Sequence, residues 1–153
     1  MKFVHNDGGR VAAGFKGNTA DCVVRAIAIA TGLPYSQVYD ELTEHITSFV
    51  DGRSKAAKRL KARGKTSPRN GVSKHVYRPY LARLGWEFIP TMGFGTGCQV
   101  HLRPDELPTG RIIVRLSRHL AAVIDGVLHD THDCTRAGTR CVYGYYRKRM
   151  GEI

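Results

Sequence analysis

The sequence predicts an α+β fold, with helices in its first half and an antiparallel sheet in its second. Three observations carry that expectation. Residues 21–32, Asp-Cys-Val-Val-Arg-Ala-Ile-Ala-Ile-Ala-Thr-Gly, are apolar nearly all the way round a helix and are stopped by Gly32 and Pro34, the pattern of a buried central helix. Beyond Gly85 the apolar spacing changes from helical to strand-like. Asp125-Gly126, set between His119–Ile124 and Val127–Thr131, is the strongest short hairpin signal in the chain.

Each element follows from its local pattern. Residues 2–15 suggest a short hairpin turning at Asp7-Gly8-Gly9. The buried helix covers about 20–31, with Asn18 or Thr19 available to cap it. A second helix over about 35–48 places Tyr35, Val38, Tyr39, Leu42, Ile46 and Phe49 at helical spacing. Ser54 starts a short basic helix that ends at Gly64. A third apolar-striped helix spans about 72–84, where Pro79 implies a kink or a later start. Strands follow at 86–89, 111–116, 119–124, 127–131 and 141–146. With no repeat and no low-complexity linker, one domain over residues 1–153 is expected, carrying a basic, exposed insert at about 51–71.

Composition narrows the function classes. The 153 residues suffice for a real core, and 42% are apolar. No stretch approaches the roughly 20 apolar residues of a membrane span, and the N-terminus lacks the apolar core of a secretory signal. A cytoplasmic protein is expected, with no membrane partner. Cys22, Cys98, Cys134 and Cys141 are scattered without a CxxC pair, which in a reducing compartment reads as free thiols. The net charge of +11 is concentrated. Nine bases and no acid lie between Arg53 and Lys74, among them Lys55, Lys58, Arg59, Lys61, Arg63 and Lys65; without them 15 bases face 13 acids. Such a block is exposed. It is either a solvated loop or a docking surface for a polyanion, nucleic acid or an acidic protein.

Cys22 carries the chemistry. It lies in the first turn of the buried helix, where the positive end of the helix dipole favours thiolate over thiol. Thiol catalysis also needs a base and a group that orients the base. His119 opens the first strand of the hairpin and is the best base. A two-residue turn at Asp125-Gly126 pairs Ile124 with Val127, Val123 with Leu128 and Ala122 with His129. Alternation then puts Asp130 on the face of His119, diagonally across, and sends His129 and Asp133 to the other face.

The order of these residues resembles the papain-like cysteine peptidases and is most similar to the bacteriocin-processing peptidases. Two stretches carry the likeness: Asp21-Cys22-Val23-Val24-Arg25-Ala26, and residues 118–130 from Arg118-His119 through Asp125-Gly126 to His129-Asp130. The resemblance implies a papain-like fold and a Cys22, His119, Asp130 triad acting on a protein or peptide substrate. The reaction would be amide or isopeptide hydrolysis or acyl transfer, with no cofactor and no metal. The family's oxyanion-hole glutamine falls six residues before the cysteine, where this chain has Lys16; Asn18 is the nearest amide. That departure keeps open a binding module, for nucleic acid or protein, on a catalytically inactive papain-like fold. Gly138-Thr139-Arg140-Cys141-Val142-Tyr143-Gly144-Tyr145 also looks like small uncharacterised bacteriophage proteins, which implies a host-cell cytoplasmic setting.

Two competing patterns remain. Cys98 and His101 have Cys-x2-His spacing, and residues 129–134 are dense in zinc-ligand types, but His129 and His132 face opposite ways on a strand. Tyr143, Tyr145 and Tyr146 interleave with Arg140, Arg147, Lys148 and Arg149, as in base-stacking surfaces, although such alternation more often marks a half-buried strand.

Overall fold

The computed structural model describes residues 1–17, 20–64 and 67–150. The expectations placed on Asn18, Thr19 and Lys65 therefore lie outside the described residues. The chain is α+β. Strand β1 (Lys2–His5) precedes helices α1 (Cys22–Thr31), α2 (Tyr35–Val50), α3 (Lys55–Ala62) and α4 (Lys74–Arg83). A single 3-10 turn (Pro68–Asn70) lies between α3 and α4. Strands β2 (Trp86–Pro90), β3 (Val100–His101), β4 (Arg111–Leu116), β5 (His119–Ile124), β6 (Val127–Asp130), β7 (Cys141–Val142) and β8 (Gly144–Lys148) follow. Among the described residues no helix is long and apolar enough to cross a membrane.

Six strands form one sheet in the order β1-β6-β5-β4-β8-β2. All neighbours are antiparallel except β1 and β6. Alternation along the strands produces two cores. On one face Ile113, Leu120, Ala122 and Tyr146 pack with Ile27, Leu42 and Leu81 from the helices. On the other, Ile112, Val114, Ala121, Val123 and Leu128 pack with Leu102, Val142 and Cys134. The Asp125-Gly126 turn sets the expected register: Ala122 opposes His129, Val123 opposes Leu128 and Ile124 opposes Val127. Asp125 (φ 49) and Gly126 (φ 77) both take the left-handed conformation that this tight turn requires.

The central helix is as apolar in the fold as in the sequence. Residues Val23 to Ala30 are all buried. The helix ends at Gly32 (φ 78), whose N–H closes on the Ala28 carbonyl at 3.0 Å. Ser54 caps α3 by accepting from the Ala57 N–H at 3.0 Å. Ser73 caps α4, which starts later than the periodicity suggests and carries Pro79 inside it.

Three expectations are corrected. The hairpin over residues 2–15 does not form. Asn6 accepts from Gly8 N–H, Asp7 accepts from Gly9 and Val11 N–H, and the chain winds into successive turns. The strand β1 pairs instead in parallel with β6, with His5 opposite Asp130. The last strand is split, because Val142 turns to pair with Val100 of β3 while Tyr145 stays opposite Val114 of β4. Two of the four cysteines are not free. Pairing β3 with β7 brings the Cα atoms of Cys98 and Cys141 to 5.9 Å, and the two form a disulfide.

Candidate active site

Cys22 is the first residue of α1, and the helix delivers it to the end of the sheet where β5 begins. His119 is the first residue of β5, just after the Ser117-Arg118 turn. Asp130 is the last residue of β6, and β1 holds its backbone: Asn6 N–H donates to the Asp130 carbonyl at 2.9 Å. The fold therefore brings together the three residues singled out in sequence. His119 Nε2 meets Asp130 Oδ2 at 2.6 Å. That bond leaves Nδ1 as the ring nitrogen that can serve Cys22, whose ionisation the imidazole favours.

The electrostatics favour an ion pair. Burial pushes the Cys22 thiol up, but the hydrogen bond and charge of His119, the Leu120 backbone N–H and the Arg25 guanidinium together hold it below the usual thiol value. Burial pushes His119 down, and its bonds to Asp130, Cys134 and Cys22 overcome this and raise it to about 11. Burial likewise opposes ionisation of Asp130. The His119 bond and charge, the Thr131 N–H at 2.7 Å and Arg25 hold its carboxyl below the ordinary range. Thiolate, imidazolium and carboxylate are the mutually consistent states.

Sequence reasoning missed what stands behind the triad. Asp21 is 1% exposed and Asp130 3% exposed. Arg25 bridges them, bonding Asp21 one turn away and reaching Asp130 Oδ1 with Nη2 at 3.4 Å. Arg10 Nε lies 3.5 Å from Asp21 Oδ2, and the Tyr35 hydroxyl donates to that same oxygen at 2.5 Å. Charges thus alternate along Arg10, Asp21, Arg25, Asp130, His119 and Cys22. Buried charges need such compensation, because each alone would carry an uncompensated desolvation cost. The signal in the sequence was an Asp and an Arg at i,i+4 inside an otherwise apolar helix. Cys134 is a second miss: it is buried and donates to Asp130 Oδ2 at 3.7 Å.

The Asp21 carboxylate does not cap α1. The N–H groups of Cys22 and Val23, in the first turn of α1, have no carbonyl partner within the helix. Lys16, at the position the family gives to glutamine, is exposed, and its carbonyl accepts from Arg69 Nη2 at 2.6 Å.

No protein-family model, no curated protein and no solved structure matches this chain. The chemistry is therefore read from the side chains. Cys22 and His119 open onto a cleft of about 860 Å³ whose lining includes Val23, Tyr77, Leu120, His132 and Tyr143.

The competing patterns fare differently. Cys98 is spent in the disulfide, and His101 Nδ1 lies 3.2 Å from Glu106, which removes the Cys-x2-His pair. His129 turns to Asn6, and Asp133 accepts from Thr135. The ligand atoms of His119, Asp130 and His132 do lie within 4.8 Å of one another, so these three could hold a metal ion. Two of them are engaged with each other as described. Tyr146 is buried against Tyr77 and Phe88, so it offers no stacking surface to a base. On α3, Lys55, Lys58, Arg59 and Lys61 are exposed. Arg63, just beyond it, reaches the cleft.

Proposed function

We propose that the protein is a thiol-dependent amide or isopeptide hydrolase, or acyl transferase, of papain-like type. The observation that carries this is the Cys22, His119, Asp130 array at the mouth of a cleft, in the order helix, strand, next strand. The Cys22 thiolate attacks the substrate carbonyl carbon and forms a C–S bond. The oxyanion is met by the N–H groups of the first turn of α1. As the C–N bond breaks, the His119 imidazolium gives its proton to the departing amine and a thioester remains. Neutral His119 then takes a proton from water, or from an amine acceptor, as it attacks the thioester and restores the Cys22 thiolate and the imidazolium. Asp130 acts through His119, fixing its ring and tautomer.

The test is to trap the thioester with an activated acyl donor and locate it by mass spectrometry. The acyl group is expected on Cys22. Cys22→Ser should abolish the thioester, and His119→Ala should slow turnover roughly 10²–10⁴-fold. An intact chain that never acylates at Cys22 would contradict the reading.

A second reading has its own support in the exposed cations of α3, which suit an acidic protein or nucleic acid docked on an inactive papain-like fold. It predicts binding that weakens steeply with salt and survives Cys22→Ser.

A further inference from the structure

The cleft that holds Cys22 is lined by basic residues from two parts of the fold. Arg63 and Lys74 come from the helical half, and Arg115 and Arg118 from the end of β4 and the turn into β5. Among the described residues no Asp or Glu lines it. Among the described residues none of these four cations forms an ion pair with a carboxylate. By contrast Arg25, which also lines the cleft, and Arg10 are both matched by Asp21. The positive potential of the cleft is thus left uncancelled where a substrate would lie, and low-dielectric walls focus it.

Arg118 is the cleft cation next to His119 in the chain. It occupies the tight turn next to His119 with φ 56. That conformation suits glycine or asparagine and strains an arginine. The two-residue turn between β4 and β5 requires this conformation and sets Arg118 on the cleft lining beside His119.

We propose that the cleft selects peptide substrates with acidic side chains flanking the amide to be cleaved. This rests on the thiol-catalysis reading above and names the substrate class for that site. A peptide is favoured over nucleic acid because the cleft also offers apolar surface at Val72, Tyr77, Leu116 and Leu120 beside the nucleophile. A peptide also presents the amide carbonyl that a thiolate attacks. Among the described residues of the basic block, only Arg63 and Lys74 line the cleft; the exposed cations of α3 are outside it.

The experiment is protection of Cys22 from iodoacetamide in the full chain by three matched hexapeptide amides, rich in Glu, Gln or Lys, and by a single-stranded oligonucleotide. The Glu peptide is expected to protect at a concentration about tenfold lower than the Gln peptide, the sum of a few partly screened charge contacts. Its advantage should shrink as salt is raised. Lys74→Ala, Arg115→Ala and Arg118→Gly should each reduce it. Arg118→Gly is the sharpest variant, because relief of backbone strain should leave the fold at least as stable while selectivity falls. Equal protection by all three peptides, or a Glu preference untouched by the three substitutions, overturns the proposal. Stronger protection by the oligonucleotide overturns it in favour of nucleic acid.

Hydrolysis of the same peptides separates this proposal from the reading it rests on. Acidic peptides that protect but never acylate Cys22 refute catalysis and leave the ligand class standing. Neutral peptides cleaved as well as acidic ones refute the class and leave catalysis standing.

Discussion

At the scale of single residues, the site is a row of alternating charges more than an isolated triad. Asp130 is flanked by Arg25 and His119, so its loss leaves two cations facing each other in a buried place. Asp130→Asn should cost about 3 kcal/mol at neutral pH, the usual cost of breaking a buried pair. The pH dependence follows in sign. The folded pKa of Asp130 is depressed, so its stabilisation is present above the unfolded carboxyl value of about 3.9 and is lost as pH falls through the folded one. Urea midpoints of wild type and variant should therefore converge in acid and diverge at pH 5–7. A gap that stays the same from pH 7 down into acid would show that Asp130 is not charged in the fold. Cys22, His119 and Asp130 were legible from residue type and strand alternation. Arg10, Tyr35 and Cys134 were not, because they reach the site by tertiary packing that leaves no local periodicity.

At the scale of elements, strong local patterns carried through and short ones did not. The helix α1 and the β5–β6 register were readable because Gly32 and Asp125-Gly126 fix both in a few residues. The parallel pairing of β1 with β6 was hidden, since a parallel partner has no turn to announce it. Two-residue strands such as β3 and β7 are too short to show any period. Gly144 is a position where sequence alone suggests nothing and packing demands much. A Cβ there would run into the Phe88 ring and come within 2.9 Å of the Ile89 carbonyl oxygen. Gly144→Ala should destabilise by about 1–3 kcal/mol, read as a lower urea midpoint. An unchanged midpoint would mean that β2 and β8 are not so closely apposed.

At the scale of the whole molecule, the disulfide and the cleft tie distant parts together. Cys98 and Cys141 close a loop with a sequence separation of 43. On the chain-entropy model, opening it should cost about 4 kcal/mol. Reduction should lower the melting temperature without removing Cys22 reactivity, because the bridge lies on β7 and the loop before β3, outside the cleft lining. Loss of both together would show that the two regions are coupled. The central claim is that the fold turns Cys22 into a thiolate paired with His119. The pH profile of Cys22 alkylation by iodoacetamide, in wild type and His119→Ala, tests it most directly. Wild type should react half-maximally well below the ordinary thiol value of about 8.5 and stay reactive through neutrality. His119→Ala should move the midpoint upward and slow the reaction at pH 6. Superimposable profiles with an ordinary thiol midpoint in both proteins would contradict the account.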